Sequence, residues 1–154
     1  MTQSNGRCQD DDCSQLIDNI NIAELMNSNL FAIDSMGNLL WHQYLPGGSN
    51  FAPAIGIDGT LYYGSYVRNQ GSRLYAVSRT GDLLWTNTDV AGCEECANGV
   101  PAVVSKDGTI YASGLAFVVI NPDGTTRWLG EYFWYSNSLA QSPILGRDGN
   151  MYVG

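Results

Sequence analysis

Short β-rich hydrophobic runs recur along residues 30–154, and turns that contain glycine separate them. The runs are rich in Leu, Val, Ile, Tyr and Phe, a composition typical of strands rather than helices. Within one repeat, two runs flank a turn with a glycine, and two more flank an Asp-Gly pair. Asp-Gly favours a type I′ hairpin, because both central residues of that turn need positive φ. The pattern therefore predicts four antiparallel strands per repeat.

The pattern occurs three times, in residues 30–64, 74–113 and 117–154. Each copy has a turn glycine, a tryptophan four residues after it, and an Asp-Gly pair towards its end. The three sets are Gly37, Trp41, Asp58 and Gly59; Gly81, Trp85, Asp107 and Gly108; and Gly124, Trp128, Asp148 and Gly149. The tryptophans are 44 and 43 residues apart. Four strands at this period match a β-propeller blade, whose repeats are about 40–50 residues long.

The predicted fold is all-β, a partial β-propeller of about three four-stranded antiparallel blades. A single blade leaves both of its faces apolar, so neighbouring blades must stack to cover them. We expect Trp41, Trp85 and Trp128 to pack between blades. Residues 1–29 show no clear period, and we interpret them as a tail or as the remnant of a preceding blade.

The first copy contains the motif Ala-x-Asp-x-x-Gly-x-x-x-Trp, followed by Pro and by Asp-Gly-Thr-x-Tyr. This motif resembles the pyrroloquinoline-quinone-like (PQQ-like) propeller repeat, and the resemblance covers about residues 30–154. The family includes quinoprotein alcohol dehydrogenases and the lipoprotein scaffold of outer-membrane protein assembly. The later copies depart from the motif, because Asp34 is replaced by Ser78 and by Asn121.

Propellers of this family have seven or eight blades, so the resemblance implies that the chain is a fragment of a larger propeller. Three blades cannot close a ring, and the exposed blade faces would contact either missing blades of a parent chain or a second copy. Self-association is therefore the alternative to truncation.

The charge balance excludes some partners. Seven Lys and Arg residues stand against fifteen Asp and Glu residues, giving a net charge of −8 without any basic cluster, so nucleic acid is not an expected partner. The sequence has no apolar run of about 18 residues and no basic start followed by an apolar stretch. It thus predicts no membrane span and shows no signal peptide.

The four cysteines form two local pairs, Cys8 with Cys13 and Cys93 with Cys96. Local pairs favour disulfides in an oxidising compartment, with metal thiolates as the alternative. The sequence Cys93-Glu-Glu-Cys96 has no following His and no second pair at zinc-ribbon spacing. A loop-stapling disulfide or free thiols are therefore favoured over a metal or redox site. We accordingly expect an extracytoplasmic protein, whether periplasmic, on the cell surface or secreted.

A dense aromatic run lies between the third tryptophan and the last Pro, at Tyr132, Phe133, Trp134 and Tyr135. Exposed aromatic side chains there could hold a protein or a polysaccharide partner, because they contribute much contact energy at low entropic cost. A local cluster that folds onto the end of a blade is the alternative.

No cofactor is predicted. The Asp-Gly pairs lack the alternating oxygen ligands of a calcium loop, and turn formation explains them. In the dehydrogenases that the repeat resembles, PQQ lies between a Trp and a disulfide of adjacent cysteines, with calcium nearby, and this sequence has no adjacent cysteines. His42 is the only histidine and hence the single candidate base, and the sequence indicates no Ser/His/Asp or Cys/His arrangement around it.

The hypothesis that these observations favour is a non-enzymatic binding or scaffolding module outside the cytoplasm, whose inter-strand loops hold a protein or polymer. Only the analogy of fold supports it. The alternatives are a fragment of a PQQ-dependent dehydrogenase and the extracytoplasmic sensor domain of a larger signalling protein.

Overall fold

The computed structural model describes residues 27–90, 100–114, 116–130 and 142–153. In this part of the chain every regular element is a strand, so the all-β prediction is confirmed. The interpretation of residues 1–29 concerns a segment that lies almost wholly outside the described residues. The described residues contain no helix, and therefore none long and apolar enough to cross a membrane.

The described residues contain twelve strands in four antiparallel sheets, which we number I to IV along the chain. Sheet I contains β1 (Asn27–Ile33) and β2 (Leu39–Pro46). Sheet II contains β3 (Ala54–Ile55), β4 (Leu61–Val67), β5 (Gly71–Val77) and β6 (Leu83–Asn87). Sheet III contains β7 (Ala102–Val104), β8 (Ile110–Ser113), β9 (Phe117–Ile120) and β10 (Thr126–Leu129). Sheet IV contains β11 (Ile144–Leu145) and β12 (Met151–Tyr152).

The boundaries of the sheets differ from those of the sequence repeats. The first copy, residues 30–64, supplies most of sheet I and most of the first two strands of sheet II, and the second copy, residues 74–113, supplies most of the other two. The tight hairpin from Val67 to Gly71 pairs β4 with β5, whereas seven residues separate β2 from β3. Each four-stranded sheet therefore combines the end of one copy with the beginning of the next.

Six turns share one backbone geometry that differs from the type I′ prediction. In each, the N–H of a glycine donates to the carbonyl three residues earlier at 2.9–3.1 Å, and a second bond of 2.8–3.0 Å closes the hairpin. The six glycines all have positive φ, but the Asp before Gly59, Gly108 and Gly149 does not. The prediction of type I′ turns was wrong, because these are three-residue loops in which a type I turn ends on a left-handed glycine.

The core lies between successive sheets. Tyr62, Leu74 and Ala76 of sheet II pack against a group of buried side chains from sheet III and the segment before it, namely Val100, Ile110, Ala112, Val118 and Ile120. On the other face of sheet II, Tyr63, Tyr75 and Val77 pack against Leu30 and Leu45 of sheet I. Because neighbouring residues of a strand point to opposite faces, Tyr62 and Tyr63 serve different cores. Sheet II is therefore buried on both faces.

Candidate functional site

Trp41 and Trp85 each contact the next sheet in the same way. The Nε1–H of Trp41 donates to the carbonyl oxygen of Arg79 at 2.8 Å, and a Cβ added to Gly81 would lie 2.9 Å from the Trp41 ring. The corresponding values for Trp85 are 3.0 Å to the carbonyl of Pro122 and 2.6 Å from a Cβ at Gly124. We call this contact the Trp–Gly joint.

The joint explains why the turn needs glycine at this position. The indole ring lies directly on the backbone of the turn, where any side chain would collide with it. Gly81 and Gly124 also have φ values of +94° and +88°, which residues with a side chain rarely adopt. The structure therefore places two of the three repeat tryptophans, and two of the three repeat glycines, in one recurring contact between sheets.

Trp128 has a different environment. Its side chain is 53% exposed, and its ring lies beside Gly130, where an added Cβ would be 2.7 Å from Cη2. Among the described residues no turn glycine contacts the ring of Trp128, and no side chain or ring lies within 4 Å of a Cβ built at Gly37. One tryptophan and one turn glycine of the repeat thus remain without the joint that the other two pairs form.

A polar cluster beside the second joint was not found by sequence reasoning. The buried side chain of Asn87 donates to the carbonyl of Gly124 at 3.0 Å and to Thr126 Oγ1 at 2.9 Å. Thr126 in turn donates to Asp89 at 2.7 Å. The position of Asn87 is occupied by Gln43 in the first copy and by Gly130 in the third, so the repeat carries no signal for it. The cluster adds directional bonds between sheets II and III.

The aspartates of the Asp-Gly pairs hold their turns together. Asp58 accepts from the backbone N–H of Thr60 at 3.0 Å and from its hydroxyl at 2.9 Å. Asp107 and Asp148 likewise accept from the backbone N–H of residues 109 and 150, each at 3.1 Å. The backbone bond from Thr60 is the largest cause that lowers the pKa of Asp58. Bonds from Ser105 and from the backbone of Asn150 lower the pKa of Asp107 and Asp148. These carboxylates therefore act as turn acceptors.

The lowered pKa values predict a loss of stability in acid. Because the folded-state pKa of each carboxyl lies below its ordinary value of 3.8, the unfolded chain binds more protons in acid. The contribution is complete above about pH 5 and is lost as the pH falls through the folded-state values. We expect the free energy of unfolding, measured by urea denaturation, to be level from about pH 6 to 8 and to fall below about pH 4.

A triple variant provides the control for this pH dependence. Asn in place of Asp58, Asp107 and Asp148 keeps a side-chain oxygen that can accept from the backbone but cannot be protonated near pH 4. The triple variant should lose less stability between about pH 5 and 3 than the unmodified chain. Equal acid losses in the two proteins would contradict the assignment.

Several predicted residues lie outside the described part of the chain. These are the cysteines and the aromatic run, namely Cys8, Cys13, Cys93, Cys96, Tyr132, Phe133, Trp134 and Tyr135. The disulfide and partner-surface interpretations therefore stay predictions.

The described residues offer little for acid-base or metal chemistry. No three His, Cys, Asp or Glu side chains among them converge as metal ligands would. His42 lies on β2, with its ring stacked on Phe31 at a centroid distance of 4.9 Å and an interplanar angle of 12°. Within the ranges that the structure covers, the side chains described above pack between sheets or form hydrogen bonds that hold turns and sheets together.

The two ends of the sheets differ, and this difference defines two faces. The six glycine turns lie at one end, where Gly59 approaches the Cβ of Arg79 at 3.4 Å and Gly108 approaches Pro122 at 3.0 Å, measured from an added Cβ. We call this end the turn face. The opposite end, the loop face, carries the β4–β5 hairpin and the connection 47–53, and it is also the end at which β6 and β10 finish and β7 and β11 begin.

Comparison with known proteins gives no assignment for this chain. No model of a known protein family matches it, and no curated protein matches it.

Proposed function

We propose that this chain belongs to a β-propeller of the PQQ-like type and serves as a non-enzymatic binding or scaffolding module outside the cytoplasm. The Trp–Gly joint supports the propeller, since it relates sheet I to sheet II and sheet II to sheet III by the same contact. When the same contact joins each pair of successive sheets, each sheet is rotated by a similar amount relative to the sheet before it. Radial stacking of blades requires such a constant rotation.

The contrast between the two faces is the observation that carries the binding role. The turn face consists of turns of one geometry with bonds in the same positions, which leaves little room for variation. At the loop face the strands are separated by longer stretches of sequence, with 7 residues between β2 and β3 and 14 residues both between β6 and β7 and between β10 and β11. Binding residues occur on variable loops that a rigid frame positions, so we assign partner binding to the loop face.

The loop face has a firm base, and its β4–β5 hairpin carries a local positive charge, whereas the connections 88–101 and 130–143 contain four Asp or Glu residues and no Lys or Arg. Ser65 and Tyr75 both donate hydroxyl bonds to the carbonyl of Pro46, at 2.8 and 3.0 Å, and fix the start of the 47–53 connection. Exposed Arg68 and partly buried Arg73 lie at the β4–β5 hairpin, in a chain whose net charge is −8. An extended protein segment that brings an acidic side chain to this hairpin is the partner that Arg68 and Arg73 would attract.

A displayed library of random peptides tests this proposal. Peptides selected against the full 154-residue chain should be enriched in Asp and Glu, and Arg68→Ala should lower the affinity for a selected peptide at least about tenfold. Arg147→Ala is the matched control, because Arg147 is also exposed but belongs to a turn of the turn face. Equal losses in the two variants would contradict binding at the loop face.

The predicted aromatic surface can be tested in the same assay. If Trp134 contributes to the partner surface, Trp134→Ala should reduce peptide affinity while leaving the thermal unfolding temperature nearly unchanged. A large drop in that temperature would instead mean that the aromatic run packs onto the sheet. Saturable absorbance changes on adding PQQ with calcium, together with dye reduction, would support the dehydrogenase alternative.

A further inference from the structure

Arg73 on β5 contains a buried hydrogen-bond donor that no described residue satisfies. Its Nε has no acceptor, and among the described residues it is the one buried side-chain nitrogen or oxygen of which this is true. Another nitrogen of the same guanidinium, Nη2, donates to Oε1 of Gln70. A charged donor that is removed from water without an acceptor destabilises a protein more than a neutral donor does. An acceptor beside Nε of Arg73 would therefore be favourable.

Arg73 lies where the interface between sheets I and II reaches the loop face. It pairs with Ser65 across β4 and β5, so both side chains are on the same face of sheet II as Tyr75. Ser65 and Tyr75 both donate to the carbonyl of Pro46, the last residue of β2. A carbonyl oxygen has two lone pairs, so these two hydroxyl bonds use the acceptor capacity of Pro46. Arg73 is two residues closer to the hairpin than Tyr75 and thus lies at the rim of the core.

The described part of the loop face offers Arg73 no carboxylate. The hairpin 67–71 and the connection 47–53 contain no Asp or Glu. Asp89, just after β6, does lie at this end of sheet II, but its Oδ2 accepts from Thr126 of sheet III. That bond belongs to the interface between sheets II and III, whereas Arg73 is on the face of sheet II that packs against sheet I. A carboxylate for Arg73 must therefore come from beyond these residues.

The unsatisfied Nε and the bonded Nη2 lie on the same edge of the guanidinium plane. Their N–H groups are parallel, at the spacing of the two oxygens of a carboxylate, so that one carboxylate can accept from both. An amide has a single oxygen, and that of Gln70 accepts from Nη2 and leaves Nε unsatisfied. Gln70 is exposed, so its side chain can move into water when a carboxylate takes its place.

On the basis of the proposed binding role of the loop face, we propose that Arg73 is the residue that receives an acidic side chain of the bound segment. The carboxylate replaces the amide of Gln70 and accepts side-on from Nε and Nη2 of Arg73. Until a partner binds, the bond to Gln70 holds the guanidinium in place at the rim. Such a pair selects a carboxylate by geometry as well as by charge, whereas exposed Arg68 attracts it by charge.

The first test needs no partner. Gln70→Glu places a carboxylate where the amide now accepts, so that its two oxygens can accept from both nitrogens of the edge. We expect the thermal unfolding midpoint to rise by about 3 °C or more. Asn69→Asp is the matched control, because it adds the same charge to the same hairpin at an exposed residue whose positive φ of 61° aspartate tolerates. Equal midpoints for the two variants would overturn the proposal, because Nε would then have no use for a carboxylate.

A double variant shows whether the gain comes from Arg73. Lysine keeps the positive charge but has no pair of parallel N–H groups in one plane, so it cannot make the side-on pair. In an Arg73→Lys background, Gln70→Glu should raise the midpoint by less than about half of its effect in the unmodified chain. Far-UV circular dichroism checks that each variant is folded. An undiminished rise would contradict the pair, because charge alone would then explain the gain.

NMR of the ¹⁵N-labelled full chain observes the proposed bond directly. The chain has six arginines, and the Nε–H peak that disappears in Arg73→Lys is that of Arg73. An amidated peptide from the display selection should shift this peak to higher ¹H frequency, because a short charge-assisted bond deshields the proton. The same peptide with Asn and Gln in place of its Asp and Glu should leave the peak unmoved. A peak that responds to both peptides, or to neither, would refute the assignment.

Peptide affinity separates this site from attraction by charge. Arg73→Lys should weaken binding of the amidated peptide about tenfold or more, and Arg68→Lys, which also keeps its charge, by less than about threefold. Gln70→Glu should weaken binding about tenfold as well, because its own carboxylate occupies the edge, and Asn69→Asp should weaken it less. Equal losses for the two lysine variants would overturn the carboxylate site and leave binding at the loop face standing.

The proposed function and this site therefore fail in different measurements. Failure to select any peptide would count against binding at the loop face, and the unfolding midpoints would still show whether the edge of Arg73 binds a carboxylate. Peptides that bind without moving the Nε–H peak of Arg73 would refute the site alone.

Discussion

We expect Trp85→Ala to lower the free energy of unfolding by about 3–5 kcal/mol. The Trp85 ring packs against the core between sheets II and III, with its centroid 5.8 Å from that of Tyr62. It also donates to the carbonyl of Pro122 and lies on the backbone of Gly124. Removal of the ring leaves a cavity between two sheets and a carbonyl without its donor, and both effects are unfavourable.

Urea denaturation of the full chain, followed by circular dichroism, measures this loss. Leu84→Ala is the control on the same strand, because an exposed side chain with no special contact should change stability by less than about 0.5 kcal/mol. Trp85→Phe should lie between the two, since it keeps most of the apolar surface but has no N–H. A loss below about 1 kcal/mol for Trp85→Ala would show that the joint is not a main contact between the sheets.

Gly64→Ala is the second change with a large expected effect. Gly64 is buried on β4, and a Cβ added there would lie 1.9 Å from the carbonyl oxygen of Val100 and 2.7 Å from its carbonyl carbon. These are backbone atoms just before sheet III, so no side-chain rotation can relieve the collision. We expect a loss of about 3 kcal/mol or more, because sheets II and III must move apart and give up buried apolar contacts.

Gly48→Ala is the matched control for this substitution. No atom of the described residues lies within 4 Å of a Cβ at Gly48, and its φ is outside the range that disfavours side chains. It should be nearly neutral in the same denaturation assay, so that a common cost of replacing glycine can be separated from the collision. Equal stabilities for the two variants would mean that the sheets approach less closely at Gly64 than the structure shows.

The sequence predicted the strands and the positions of the turns because both have local causes. Runs rich in Leu, Val, Ile and Tyr favour strands, and among the described residues glycine occupies every site of positive φ except Asn69. The geometry of the turn was not predictable from the Asp-Gly pair alone. Asp58 can enter a type I′ turn or precede the left-handed glycine of a three-residue loop, and its bonds to Thr60 favour the second.

The residues at which one sheet ends and the next begins could also not be predicted from the sequence. A repeat defines a period but no starting point, and the motif from Gly37 to Gly59 gives no sign that sheet II begins at Ala54. The short β4–β5 hairpin decides it, because strands joined by a tight turn pair with each other.

The contacts between sheets were predictable only in part. The equal spacing of the tryptophans suggested a common role, but their partners depend on how the sheets stack. Arg79 and Pro122 supply backbone carbonyls, which any residue type could offer, and so leave no signature in the sequence. Asn87 and Thr126 are ordinary polar residues whose value arises from proximity across sheets.

The offset between repeats and sheets has a consequence for how such a gene can change length. When one unit of about 43 residues is duplicated in tandem, the first two strands of the new unit complete the sheet begun by the unit before it, and its last two strands begin a sheet that the next unit completes. Every sheet at the insertion point then still has four strands, so recombination between copies can lengthen the encoded protein without creating an unpaired edge inside it.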